Sequence, residues 1–255
     1  MKLITRQDTF VAVSDYSERA MPKEAGFRWD PALKRWWTND PERAVRLVSY
    51  ADAETTQAIR ARLKHADDSL TASSATSANV YVPAPEGLAY LPFQLAGIAY
   101  AQSRPATLIA DEMGLGKTIE VIGVINADTT VRNVVVVCPA SLKLNWQREL
   151  ERWLTRPLTV GIVNGVVPDT DIQVVNYEQL KKIELRSIDL LVVDEAHYAK
   201  NPKAQRTKLV ATWARKARRK LLLTGSPIVN RPIELHSLLS ILDPGAWPFW
   251  PYVKR

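Results

Sequence analysis

Two short stretches of the chain combine residue types suited to phosphate chemistry. The first reads Asp111-Glu112-Met113-Gly114-Leu115-Gly116-Lys117-Thr118. Its last three residues match the end of the phosphate-loop pattern, with Asp111 standing where that pattern has its first glycine. Gly114 and Gly116 let backbone approach a ligand closely, and the amides that open the next helix point at phosphate oxygens. Lys117 suits neutralisation of β- and γ-phosphates, and the Thr118 hydroxyl suits Mg²⁺. A glycine-containing strand-to-helix turn would show the same tripeptide, so the loop needs a partner. The second stretch supplies one: Asp194-Glu195-Ala196-His197 follows the apolar run Leu190-Leu191-Val192-Val193. A phosphate-loop hydrolase needs one carboxylate near its metal and another to activate water. Asp194 would engage Mg²⁺ through its water shell, and Glu195 would take the proton of the attacking water. The bland alternative is a solvated turn after a strand, and the phosphate loop upstream weighs against it. His197 lacks the His/Cys company of a metal ligand.

These residues need a scaffold that brings strand ends together. Apolar, β-branched runs at 107–110, 133–138, 172–175, 190–193 and 221–223 alternate with amphipathic stretches. Continuous runs of this kind predict a parallel sheet covered by helices on both faces, an α/β fold without internal repeats. Residues 1–65 predict a separate small α+β module. It has a strand around Phe10, Val11 and Val13, a helix over 16–25, a turn over 27–31 and a second strand over 34–38. Asp40-Pro41 reads as a helix start, followed by helical spacing from Ala44 to Ala51. Trp29, Trp36 and Trp37 are expected in its core, the alternative being an exposed stacking surface for single-stranded or branched DNA. Residues 66–80, rich in Ser, Thr and Ala, read as a flexible linker.

Composition sets outer bounds. The 255 residues are 46% hydrophobic and 24% charged, values of an ordinary globular protein. No apolar run is long enough for a bilayer, and Arg6, Asp8 and Asp15 break any signal-peptide core. The single cysteine, Cys138, excludes internal disulfides and cysteine-ligated zinc, and reads as a small core residue. These features predict a cytoplasmic or nucleoid-associated protein with no membrane partner. The net charge of +7 suits a polyanion. Residues 200–220 hold nine basic and no acidic side chains. Within them, Arg215 to Lys220 fit either a solvated helix end or contacts to a phosphate backbone.

Together, ADEMGLGKT and DEAH resemble the nucleotide site of superfamily-two helicase-like motors, specifically the Swi/Snf-like (HepA-related) double-stranded DNA translocases. Further segments agree: Leu91-Pro92-Phe93-Gln94, Val137-Cys138-Pro139-Ala140-Ser141-Leu142 with Trp146 beyond it, Val175-Asn176-Tyr177-Glu178, and Leu223-Thr224-Gly225-Ser226-Pro227. Asn230, Arg231 and Glu234-Leu235 continue the pattern. The resemblance implies that residues 81–255 form a RecA-like first lobe that binds ATP and Mg²⁺. Gln94 would read adenine, the alternative being an exposed helix residue, and residues 111–118 would hold the phosphates. Lys117, Asp194 and Glu195 would be catalytic, with Thr118 and Asp194 on the metal. His197, Thr224, Gly225 and Ser226 would couple the γ-phosphate state to movement. Pro139, Ser141, Asn176, Tyr177, Lys200 and Lys203 would meet duplex DNA without reading its sequence. The family completes its site with a second RecA-like lobe, in cis or in trans, and none of that lobe's motifs occurs before Arg255. The isolated chain is therefore expected to bind ATP weakly and hydrolyse it very slowly, and the aromatic segment 247–252 would stand partly uncovered. A non-hydrolysing DNA-binding or nucleotide-gated interaction protein is the alternative; intact Lys117, Asp194 and Glu195 favour the catalytic reading.

Overall fold

The computed structural model describes residues 1–184, 187–227 and 233–245. Asn230, Arg231 and the aromatic segment 247–252 lie outside the described residues. The chain divides into two compact units, Met1–Ser74 and Ala75–Arg255.

The first unit contains β1 (Lys2–Arg6), β2 (Thr9–Val13), α1 (Ala20–Glu24), β3 (Arg28–Asp30), β4 (Arg35–Thr38), α2 (Pro41–Ala44) and α3 (Ala53–Ser73). Its antiparallel sheet has the order β1-β2-β4-β3. β1 gives little sequence signal because only Leu3 and Ile4 in it are apolar. The expected turn at 27–31 instead contains β3, and the helix expected over 16–25 is a 3₁₀ turn at Tyr16–Glu18 followed by α1. Asp40 does cap α2, accepting from the Glu42 amide, with Pro41 at the first helical position. The helix expected from Ala44 onward tightens into a 3₁₀ segment at Val45–Tyr50.

Two expectations for this unit are overturned. Leu3, Phe10, Ala12, Phe27, Leu47 and Ile59 make the core, with Trp36 only packed against it and Trp29 48% exposed. Two phenylalanines and the aliphatic residues already fill the space under so small a sheet. Residues 67–73 are not linker but the last two turns of α3. Asp52 caps that helix by accepting from the Thr55 amide, and Ala, Leu and Lys within it are good helix formers.

The second unit runs α4 (Pro92–Gln102), β5 (Ala106–Ile109), α5 (Lys117–Ala127), β6 (Val134–Cys138), α6 (Lys143–Trp153), β7 (Val160–Ile162) and β8 (Ile172–Asn176). It continues with β9 (Ile188–Val193), α7 (Gln205–Lys216), β10 (Ala217–Leu223) and α8 (Ile233–Leu242). Its six strands are parallel, in the order β5-β10-β9-β6-β8-β7. The run of valines in β6 follows from this. Val134 and Val136 pack on one face with α4, α5 and α6, while Val135 and Val137 pack on the other with α7 and α8. A strand buried on both sides has no polar alternation to show. All carboxyl ends of the strands lie on one edge, which is where an open α/β sheet binds its ligands.

The basic run that closes at Lys220 sits on the opposite edge. Arg218, Arg219 and Lys220 begin β10, at its amino end. Arg218 pairs with Asp189 (3.7 Å), Arg219 with Asp128 (3.5 Å), and Lys220 Nζ donates to the Leu242 carbonyl (2.9 Å). These cations tie the bottom of the sheet together. No helix of the described residues is long and apolar enough to cross a membrane.

Candidate active site

The phosphate loop joins β5 to α5. Gly114 (φ 85°) and Gly116 (φ 82°) hold left-handed backbone, a conformation other residues resist. At Gly116 glycine is required twice over, because a Cβ there would lie 2.6 Å from Gln94 Nε2. Gln94 is 3% exposed and braces the loop from behind: Nε2 donates to the Leu115 carbonyl (3.1 Å), and Oε1 accepts from the Leu91 amide (3.0 Å). Each end of its amide therefore makes one bond within this chain, and its burial rules out the exposed helix position that sequence offered as the alternative. Lys117 lies along the loop, Nζ donating to the carbonyls of Asp111 (2.8 Å) and Glu112 (2.9 Å). Glu112, Met113, Gly114 and Leu115 are exposed, and Thr118 is half-buried in the first turn of α5.

The acid pair forms where β9 ends. The Asp194 amide still donates to the Val137 carbonyl (2.8 Å), one step past the strand ladder. Its carboxylate is 8% exposed and held at both oxygens: Oδ2 accepts from Trp146 Nε1 and Oδ1 from the Glu195 amide, each at 2.8 Å. Burial raises the Asp194 pKa. The Trp146 and Glu195 hydrogen bonds oppose that rise, the Glu195 charge adds to it, and the Lys117 charge opposes it. Strand order places the two motifs at the same end of the parallel sheet, after β5 and β9, with only β10 between those strands.

Glu195 has φ 48° and ψ 51°, strained backbone for a residue with a long side chain. The Tyr177 hydroxyl pins this turn, donating to the Asp194 carbonyl (2.7 Å), with the Glu195 carbonyl 3.3 Å away. Glu195 Oε2 is buried and lies 3.2 Å from His197 Nδ1, off the line of a hydrogen bond, so that this oxygen has no donor. Cys138, at the end of β6, has its thiol pushed up to about 12, by burial first and then by Asp194, which keeps it protonated and unreactive.

β10 lies between β5 and β9, so the segment that follows it closes the gap between loop and acids. The Thr224 amide donates to the Ile109 carbonyl (3.1 Å), and Thr224 Oγ1 accepts from the Ser226 amide (3.1 Å). The same hydroxyl lies 3.4 Å from His197 Nδ1. A Cβ on Gly225 would fall 2.8 Å from Met113 Cγ, so glycine here lets the two loops touch. A connected path runs from Glu195 through His197 and Thr224 to the phosphate loop. An orphaned carboxylate oxygen, a lysine and a left-handed glycine loop opening a helix suit a magnesium-bound triphosphate, with Thr118 and Asp194 as the groups able to hold the metal.

Residues 93–251 match the family described as the SNF2-related domain, well over half of the chain. The chain belongs to the SNF2-related family. It is 35% identical over 182 residues to the Mus musculus protein named DNA annealing helicase and endonuclease ZRANB3, covering 65% of this chain and 17% of that protein. It is 34% identical over 167 residues to the Xenopus tropicalis SWI/SNF-related matrix-associated actin-dependent regulator of chromatin subfamily A-like protein 1, covering 62% and 18%. Among solved structures, the Sulfolobus solfataricus SWI2/SNF2 ATPase core in complex with dsDNA superposes with a TM-score of 0.56 and 28% identity, over 62% of this chain and 36% of that one. The parallel sheet is thus the RecA-like lobe of an SNF2-type ATPase. The chain spans under a fifth of the length of those two relatives.

In this SNF2-related lobe the segments expected to meet DNA follow β6, β8 and β9 on the same edge as the nucleotide residues. Ser141 and Lys203 are exposed, Pro139 is half-buried, and Lys200 pairs with Glu234 (3.1 Å). Asn176 is mostly buried, its Nδ2 donating to Glu178 (2.6 Å) while Oδ1 has no partner. Tyr177 is 2% exposed and supports the acid pair from inside, a correction to its expected place on DNA. Trp146 enters the sequence reading only through the resemblance; its indole N–H holding the Asp194 carboxylate emerges from the structure.

Glu120 does not figure in the sequence reading, although a lone carboxylate between Ile119 and the apolar stretch Val121 to Ile125 is a visible signal. It is 0% exposed, beneath Gly97, where a Cβ would fall against Glu120 Oε2. Burial first, then the neighbouring Asp111 carboxylate, push its pKa from 4.5 up to about 8, with the Lys117 charge pulling the other way. Ionisation is thus disfavoured in the folded chain. Stability should be insensitive to this group below about pH 4.5, fall as pH rises from 4.5 to 8, and level off above. Glu120→Gln removes that slope. The variant should match the parent near pH 4.5 and exceed it by up to about 4 kcal/mol at pH 8, as read from urea unfolding at both pH values. Parallel pH profiles would show that the carboxyl is not held neutral.

Proposed function

We propose that this chain is the ATP-binding first lobe of a DNA-dependent ATPase of the double-stranded DNA translocase type, working with DNA in the cytoplasm or nucleoid. The observation that carries this reading is the meeting of Lys117, the Asp194–Glu195 pair and the Thr224–Ser226 segment along one sheet edge. Loop amides and Lys117 bind and orient the β- and γ-phosphates. Mg²⁺ bound by Thr118 and, through water, by Asp194 would neutralise charge on the same oxygens. Glu195 holds the attacking water and takes its proton as oxygen bonds to the γ-phosphorus and the bond to the bridging oxygen breaks, giving ADP and phosphate. Thr224 and Ser226, with His197, register whether the γ-phosphate is present. Pro139, Ser141, Asn176, Lys200 and Lys203 engage the DNA backbone, which makes binding independent of sequence and sensitive to salt.

Fast turnover in this scheme needs a second RecA-like lobe, because arginines supplied across such a cleft contribute on the order of 10³–10⁵ in rate. The test measures ATPase activity of the 255-residue chain with duplex DNA, with and without a second-lobe polypeptide from a related SNF2 protein. DNA-stimulated hydrolysis only in the combination is the expected result. Failure of the chain to bind an ATP analogue at all would overturn the assignment.

A further inference from the structure

The first unit carries a second candidate site, built on Trp29, which stands outside its core, and Trp36, which packs at the core's margin. Trp29 on β3 and Trp36 on β4 are cross-strand partners on one face, their rings 5.4 Å apart and tilted by 58°. They form one wall of a groove of ≈ 710 Å³, within the range of small-ligand sites. The opposite side comes from the 3₁₀ turn and α1 and holds Tyr16, Arg19 and Lys23. Tyr16 is 79% exposed, with the Arg19 guanidinium 3.8 Å from its ring centroid. A neighbouring pocket shares Trp29 and Trp36 and is lined by Arg6, Lys34 and Arg35.

Charge distinguishes between occupants of such a groove. The groove itself holds Arg19 and Lys23 against one acid, Asp15, and the neighbouring pocket adds Arg6, Lys34 and Arg35. Glu18, close by, is already bound to the Met1 ammonium at 2.7 Å. Among the described residues no carboxylate pairs with Arg19 or Lys23, and Arg35 Nε is buried without a partner. Aromatic faces beside unneutralised cations match bases beside phosphates; a proline-rich peptide would use the rings and leave the cations idle. We propose that this groove binds single-stranded nucleic acid, with unstacked bases against Trp29, Trp36 and Tyr16 and phosphates at Arg19, Lys23 and the adjoining basic side chains. The site is separate from the duplex-directed edge of the second unit and does not depend on the function proposed for that unit.

The experiment titrates the full 255-residue chain into a fluorescein-labelled ten-nucleotide oligothymidylate, following anisotropy and tryptophan quenching at two salt concentrations. Trp29→Ala should weaken binding about 10–100-fold, the scale of one lost base stack. Trp29→Phe should restore most of it, and Arg19→Glu with Lys23→Glu should weaken binding at least as much as Trp29→Ala and lower its salt dependence. Lys117→Ala should leave it unchanged, which separates this site from the nucleotide pocket. Because Trp29 is half exposed, circular dichroism melts of each variant should match the parent. Parent-like oligonucleotide affinity in a folded Trp29→Ala chain, or capture of a proline-rich peptide in preference to the oligonucleotide, would overturn the proposal.

Discussion

Replacing Glu195 with glutamine should lower hydrolysis by ~10²–10⁴-fold while leaving nucleotide affinity nearly intact, measured in a motor completed by a second lobe. The expectation rests on the state of one oxygen. Asp194 has both of its carboxylate oxygens engaged by N–H donors, from Trp146 and the Glu195 amide, so its function is to hold charge in a fixed place. Glu195 Oε2 is buried beside His197 and has no hydrogen-bond donor, so it is the carboxylate oxygen open to a water. Glutamine keeps the shape and loses the basicity. A variant that bound and hydrolysed ATP like the parent would remove Glu195 from the reaction and direct attention to His197.

The second large effect belongs to Lys117. Substitution by alanine should cut affinity for an ATP analogue about 10–100-fold, the equivalent of one or two charge-assisted hydrogen bonds. Calorimetry on the isolated chain would measure it. Lys117 Nζ already spans the carbonyls of Asp111 and Glu112, so its removal takes away both the phosphate partner and a clasp on the loop. Arginine should not rescue, since a planar fork cannot repeat a point-charge geometry under those two carbonyls. Unchanged affinity in Lys117→Ala would mean that the loop does not bind phosphate.

The larger unit was legible because its signals are redundant. A strand such as β6, apolar at each of its five positions, has no reading other than burial on both faces, and five such strands alternating with helices leave few topologies. The glycine turn that opens α5 and the acids at the end of β9 were legible as local geometry, because left-handed glycines and a strand end leave marks in the sequence. Contacts between motifs were not. Tyr177 reads as a DNA contact by identity, yet it is buried with its hydroxyl on the Asp194 carbonyl, and Gln94 bonds the Leu115 carbonyl and the Leu91 amide across a loop. Local sequence has no access to that geometry. The basic run ending at Lys220 was ambiguous for a related reason: charge is written in the sequence, but which edge of a sheet receives it depends on strand direction.

The first unit was harder to read because a small sheet with few residues beneath it relaxes the link between apolarity and burial. Two phenylalanines suffice for its core, which leaves tryptophans over. The segment 67–73 failed for the opposite reason: a polar helix can extend beyond its packed part on capping and intrinsic propensity, with no apolar face to announce it.

The left-handed turn at Glu195 has an evolutionary corollary. The proton acceptor occupies a backbone geometry that glycine would adopt at no cost, so the same position is where the fold could most readily relax. Any selection for robustness alone would therefore drift toward a hardier, inert chain. Glutamate at this position carries a backbone cost that the proposed proton transfer would have to offset.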